Sequence, residues 1–396
     1  VRPIHTTLFA LLTLSACERP QDPPPVNTGA DAARAEPAPV DPKVEGLRRV
    51  KAGELVTPAQ YEALALTLAD CPILTEGLAV DVRCPTRVVI GKARLDPESM
   101  GEDAGAARAA IGFRLLAAEH PAPRIWGITL AQNSPEAARR LSQHARGEEH
   151  PAVLGRIARA LRTQVGKDPE ITTLMLELSR HDNRVVRREA ASSLASTWAI
   201  GEASSLARAE EIVRDADEDL SVRKATCEAL GRRGEPSSVP LLAELTRAPP
   251  PEPDLYPACF KGLVSMWARP STTSPPNQAA YEATMERLEA RPRTERAPPW
   301  GALPALRWVA TPKLEVEAPF IDRERVARAL ATLVADRRYN WLGREAALRT
   351  YVDLGADADA LEKLRSRLAR AAKDEHDERV LRTLDDQIRL LKDKSR

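Results

Sequence analysis

Cysteine and histidine are the residue types in this chain most able to carry chemistry. The cysteines stand at positions 17, 71, 84, 227 and 259, the histidines at 5, 120, 144, 150, 181 and 376. No two cysteines have CxxC spacing and no histidine sits at ligand spacing from a cysteine, so a zinc site is not expected. His120, His150, His181 and His376 fall at expected helix boundaries, and His181-Asp182 and His376-Asp377 read as helix-start neighbours rather than catalytic dyads. The chain has no H-E-x-x-H, G-x-S-x-G, Walker loop or G-x-G-x-x-G. Paired carboxylates such as Glu210-Glu211 and Asp385-Asp386 lie in charge-rich stretches that read as solvated helix surface. The sequence therefore predicts no catalytic residue, no metal and no cofactor.

Cys17 has a different context. Arg2 and His5 precede an apolar run from Leu8 to Leu14, which is too short for the roughly 20 residues that span a bilayer but has the parts of a secretory signal. The run ends in Leu14-Ser15-Ala16-Cys17, which resembles the lipobox of bacterial lipoproteins. That resemblance implies cleavage before Cys17, diacylation of its thiol and a mature protein held at a membrane by its acyl chains. Position 18 is Glu rather than Asp, which points to the outer membrane rather than the inner one. Residues 18–43 are rich in Pro and Ala with no apolar period, and read as a disordered tether reaching on the order of 30 Å.

Four cysteines remain, an even number in an exported chain, and disulfides fit an oxidising compartment. Three pairings are possible. Proximity along the chain favours Cys71–Cys84 and Cys227–Cys259, with four buried free thiols as the alternative.

The 396 residues carry 58 Lys+Arg against 57 Asp+Glu, a balance that argues against nucleic acid as a partner. Aromatics make up only 4% and Pro outnumbers Gly 33 to 19, which disfavours a large β-sandwich or barrel. An internal repeat decides the fold class. Val153–Leu161, Val186–Leu194, Val222–Leu230 and Leu255–Leu263 each have an aliphatic residue at the first and ninth positions, with small residues or Cys between in most copies. Their anchors are 33, 36 and 33 residues apart. A period in the 30s is the sign of stacked helical hairpins. His150, Asn183 and Asp219 precede three of the anchors by three residues, and Asn183 and Asp219 are strong N-cap types. Second helices follow near Pro169, Leu206 and Val239.

Segments 181–194 and 219–236 resemble HEAT repeats, especially the short variety named for bilin lyases; the resemblance covers the scaffold and brings no lyase activity with it. It implies an all-α fold, an α-solenoid of HEAT-like hairpins. The expected organisation is a signal peptide (1–16), a tether (17–43), an N-terminal helical capping module (44–120) and the solenoid (121–396). Within the module, residues 80–83 and 87–90 are either short strands or an irregular segment stapled by Cys71–Cys84. The family pattern further implies that Arg187 and Arg223 form a ladder with acids of adjacent repeats, Asp182 and Asp219 being the expected partners. Trp198 and Trp267, each twelve residues after an anchor, are expected to fill gaps between hairpins.

The function expected from these elements is a lipid-anchored cell-envelope scaffold. It would touch the membrane through its N-terminal lipid and bind an envelope protein of unknown identity. The second helices present Glu177, Arg180, Glu210, Arg214, Glu244 and Arg247, whose mixed signs suit a protein better than a polyanion. The alternative is an enzyme or small-ligand binder with a pocket near Trp126, where the N-terminal module meets the first repeats.

Overall fold

Many helix starts in this chain carry side-chain caps, while those at Pro85, Pro121, Ala137, Val239 and Tyr256 do not. Thr57 accepts from the Gln60 amide while the Gln60 side chain accepts from the Thr57 amide, a reciprocal capping box. Asp103, Asp168, Asn183, Asp219, Asn340 and Asp357 each accept a hydrogen bond from an amide in the first turn of the helix that follows. At His150 the imidazole Nδ1 does the same for the Ala152 amide.

The computed structural model describes residues 40–101, 103–247, 251–268, 274–290, 303–310, 314 and 317–394. The chain divides into Val1–Val40 and Asp41–Arg396. The signal segment, Cys17 and the tether as far as residue 39 lie outside the described residues, as do large parts of the proline-rich stretches near 250, 270 and 295. The described residues form 19 α-helices with one two-stranded hairpin.

The segment before the clear repeats holds α1 Pro42–Ala52, α2 Pro58–Leu66, α3 Pro85–Lys92, α4 Pro97–Met100 and α5 Ala104–Leu115. The hairpin pairs β1 Ile73–Leu74 with β2 Ala79–Val80, antiparallel. Residues 87–90 are not a strand but part of α3. Pro85 in the first turn has its φ preset for a helix and lacks the amide a sheet ladder needs. The Cys71–Cys84 disulfide closes this hairpin onto the start of α3.

From residue 121 the helices alternate between two rows. The first-helix row runs α6 Pro121–Ala131, α8 Pro151–Ala160, α10 Arg184–Leu194, α12 Leu220–Arg233, α14 Tyr256–Ser265, the 3₁₀ turn Leu303–Ala310, α17 Trp341–Asp353 and α19 Glu375–Lys394, each packed on the next. The second-helix row comprises α7 Ala137–Ala145, α9 Pro169–Leu178, α11 Ala203–Arg214, α13 Val239–Leu245, α15 Gln278–Glu289, α16 Arg323–Ala335 and α18 Ala358–Ala371. The core lies between the rows. All eight repeat anchors (Val153, Leu161, Val186, Leu194, Val222, Leu230, Leu255 and Leu263) are at most 1% exposed. Each such side chain contributes about 1.5–3 kcal/mol of burial free energy.

The small residues between the anchors set how closely the first helices approach. A Cβ on Gly231 would fall 2.1 Å from the Gly262 carbonyl oxygen, so α12 and α14 cross backbone to backbone. Cys227 and Cys259 form a disulfide across the same crossing, with Cα atoms 4.8 Å apart. Gly112 and Gly127 make an equivalent contact between α5 and α6. At the C-terminal end, α19 buries only Asp377, Val380, Leu384 and Ile388 along one face and leaves its charged remainder in water, as a terminal repeat requires.

Candidate interaction surface

The six residues expected to form a partner face all lie on, or just after, second helices. Glu177 is on α9 with Arg180 two residues beyond it, Glu210 and Arg214 are on α11, and Glu244 is on α13 with Arg247 beyond it. Five are exposed, and only Glu210 is half-buried. Glu210 accepts from the Ser238 hydroxyl at 3.0 Å and pairs with Arg214 at 3.3 Å, so it ties α11 to the entry of α13. Arg180 donates to the Leu176 carbonyl of its own helix. Glu177, Glu244 and Arg247 make no side-chain hydrogen bond or ion pair among the described residues. Beside Arg247 a cleft of about 240 Å³ opens between α13 and α15, lined by Ala243, Thr246, Ala283, Glu286 and Arg287. Sequence reasoning missed Glu286 and Arg287, because the 255–289 copy lacks the strong spacing of its neighbours.

The arginine ladder exists, with different acids. Arg187 binds the Glu218 carboxylate at 2.8 Å, and Asp182 supplies only its backbone carbonyl. Arg223 binds Glu252 at 2.6 Å and donates to the Val213 carbonyl, while the Asp219 carboxylate caps Ser221. The same device recurs in the weaker copies at 121–146 and 342–348: Arg124 pairs with Glu148 at 2.8 Å, and Arg344 pairs with Asp377 at 2.8 Å and donates to the Val334 carbonyl. Each arginine thus holds a carboxylate near the start of the next first helix together with a carbonyl from the preceding turn or helix end. Asp219 instead caps its own helix with Oδ1 and stands 3.6 Å from Arg184 through Oδ2.

The two tryptophans divide. Trp267 is fully buried, meets the Tyr281 ring edge-on at 5.0 Å and donates to the Thr284 hydroxyl at 2.9 Å. Trp198 does not fill a gap: it sits in the turn after α10, 48% exposed, with the Lys167 ammonium 4.7 Å from its ring centroid. Trp126 is half-buried, covered on one face by the Arg87 guanidinium at 4.2 Å and donating to the Tyr61 hydroxyl at 3.3 Å. Those contacts occupy the indole itself, while two open clefts lie between α5 and the first repeat helices, one of about 490 Å³ beside Asp103, Arg108, Thr129 and Asn133 and one of about 580 Å³ beside Phe113, Arg140 and His144.

One cluster of titratable groups sits near that junction. The Glu148 carboxylate receives the Arg124 guanidinium, the His144 ring at 3.1 Å and the His150 amide at 2.8 Å. Burial alone would raise its pKa, but the bonds from His144, the His150 amide and Arg124 outweigh burial and hold it down at about 2. Burial lowers the pKa of His150, and its neutral Nδ1 caps α8. The cluster's bonds are spent on a ladder rung and a helix start. Among the described residues no group of three or more His, Cys, Asp or Glu could hold a metal ion.

Residues 171–255 match the model of HEAT repeats. The match runs from α9 to the residue before α14 and includes both segments singled out by spacing. Packing of helix on helix continues on either side of it, through α6 to α8 and on to α19. No curated protein matches the chain in sequence. Among solved structures, human deoxyhypusine hydroxylase in complex with glycerol is similar at 16% identity, covering 65% of this chain and 99% of that one, with a TM-score of 0.29. A likeness that loose says nothing about activity.

Proposed function

We propose that this chain is a lipid-anchored scaffold of the cell envelope that binds a protein partner through the polar row of its second helices, with no catalysis of its own. The observation that carries the reading is the exposure of Glu177, Arg180, Arg214, Glu244 and Arg247 on successive hairpins, beside the cleft at Arg247. HEAT hairpins contact mainly their neighbours, so stacking leaves a wide, shallow surface suited to another protein. Alternating signs along that surface favour one partner orientation over others and do not attract a polyanion. Two disulfides and the lipobox-like leader support an oxidising compartment, with Cys17 as the lipid attachment point and the outer membrane as its site.

The test is in-cell photocrosslinking from these positions, repeated after charge reversal at Glu177, Arg214 and Glu244. The reading predicts a discrete protein adduct that the reversals abolish without moving the melting temperature. An adduct that survives the reversals removes the second-helix face from the account.

A further inference from the structure

The first-helix row carries a concentration of arginine that the scaffold does not explain. Arg156 and Arg159 on α8, Arg162 in the turn after it, and Arg188 on α10 gather near one carboxylate, Glu189. Arg159 grips Glu189 in a two-bond fork at 2.9 and 3.0 Å. Arg188 reaches it at 3.4 Å and Arg162 only at 3.7 Å. Among the described residues Arg156 pairs with no carboxylate; it donates to the Thr129 hydroxyl and the Gln132 side-chain carbonyl, both neutral. Burial, then the like charge of Arg159, lowers the pKa of Arg156; burial does the same to Arg162, with Arg159 and Arg232 adding to it against the pull of Glu189. The row continues onto α12 and α14 as Arg232 and Lys261, which share Glu228. In a chain whose charges otherwise balance, this face has guanidinium groups in excess of acids.

The chain itself shows what such a face accepts. Glu76, from the 3₁₀ turn between β1 and β2, lays its carboxylate on Arg184 and Arg188 at 2.7 and 2.6 Å, and Arg188 also donates to the Glu76 carbonyl. An acidic loop thus already rests on one end of the row by side-chain and backbone contacts together.

We propose that the first-helix face is a second docking surface, which receives an acidic segment of a protein partner by seating its carboxylates on Arg156 and Arg162. Half-buried guanidinium groups held in place by their neighbours recognise carboxylates one at a time, whereas diffuse attraction to a bilayer is the work of exposed, flexible cations. This surface is separate from the second-helix row and does not depend on it.

The test uses the full chain with a fluorescein-labelled octaglutamate peptide, read by anisotropy at about 0.15 M salt, where the Debye length is roughly 8 Å. The proposal expects saturable binding that weakens by at least about tenfold in R156Q/R162Q, is restored only in part by R156K/R162K, whose ammonium groups keep the charge without the guanidinium geometry, and is untouched by charge reversal at Glu177, Arg214 and Glu244. The glutamine variant should keep the melting temperature of the parent; if it does not, the single variant R162Q, at a half-exposed side chain, carries the comparison. No saturable binding, equal binding by the glutamine variants, or stronger binding to phosphatidylglycerol vesicles than to the peptide would each overturn the proposal.

Discussion

The ladder arginines show how one side chain can join two repeats. Arg344 and Asp377 are 1% and 3% exposed, and Asp377 also receives Arg337 and the Lys373 amide. Removing one member leaves a buried charge without its partner. Asp377→Ala should therefore cost about 3–5 kcal/mol in urea unfolding, and Arg344→Met with Asp377→Leu should cost clearly less than that single change. The tryptophans give a sharper contrast. Trp267→Ala should cost about 3–5 kcal/mol, while Trp198→Ala should cost no more than about 1 kcal/mol, the worth of an exposed cation–π contact. Glu148 and His150 set an acid limit. A carboxylate lowered to about 2 in the fold contributes stability that is complete above its unfolded value of roughly 4.3 and is lost as pH falls toward 2. A histidine lowered by burial acts in the same direction below its unfolded value of roughly 6.5, because the unfolded chain then binds the extra proton. Melting temperature should fall on acidification, and Glu148→Gln should start lower at neutral pH and fall less between about pH 5 and pH 3.

At the scale of the element, spacing in the sequence was a good guide wherever a copy was regular. The anchors, the caps at Asn183 and Asp219 and the helix starts at Thr57 and Pro169 follow from residue types at fixed offsets, and the two disulfides are the pair that proximity along the chain favoured among three pairings and free thiols. What sequence could not give was partner choice across repeats. Asp182 and Asp219 were the expected partners, but Asp182 presents its backbone carbonyl and Asp219 caps its own helix, and Glu218 and Glu252 hold the arginines. Trp198 has the same offset as Trp267, yet a turn ending at Gly201 (φ +83°) leaves it at the surface. Close packing of α12 on α14 predicts a large position effect for glycine. Gly231→Ala forces a methyl against the Gly262 backbone and should cost about 3 kcal/mol or more, whereas Gly147→Ala, with open space around its Cβ, should stay within about 0.5 kcal/mol. Thermal unfolding of the two variants side by side checks this.

For the whole molecule, the described residues give one continuous arrangement from α1 to α19, and its fold class was legible because a period repeated in sequence must repeat in space. The partner surfaces were less so. Exposure on the second row followed from the helical period, but the cleft between α13 and α15 and the arginine excess on the first row depend on which residues of distant repeats come together. All of this acquires a cellular role only through Cys17, the residue proposed to carry the lipid. The most direct measurement is metabolic labelling with palmitate in a bacterial host, comparing the parent chain with Cys17→Ala. The account predicts label in the parent, recovered with the membrane fraction, and none in the variant. An unlabelled parent recovered uncleaved in the cytosol would contradict it.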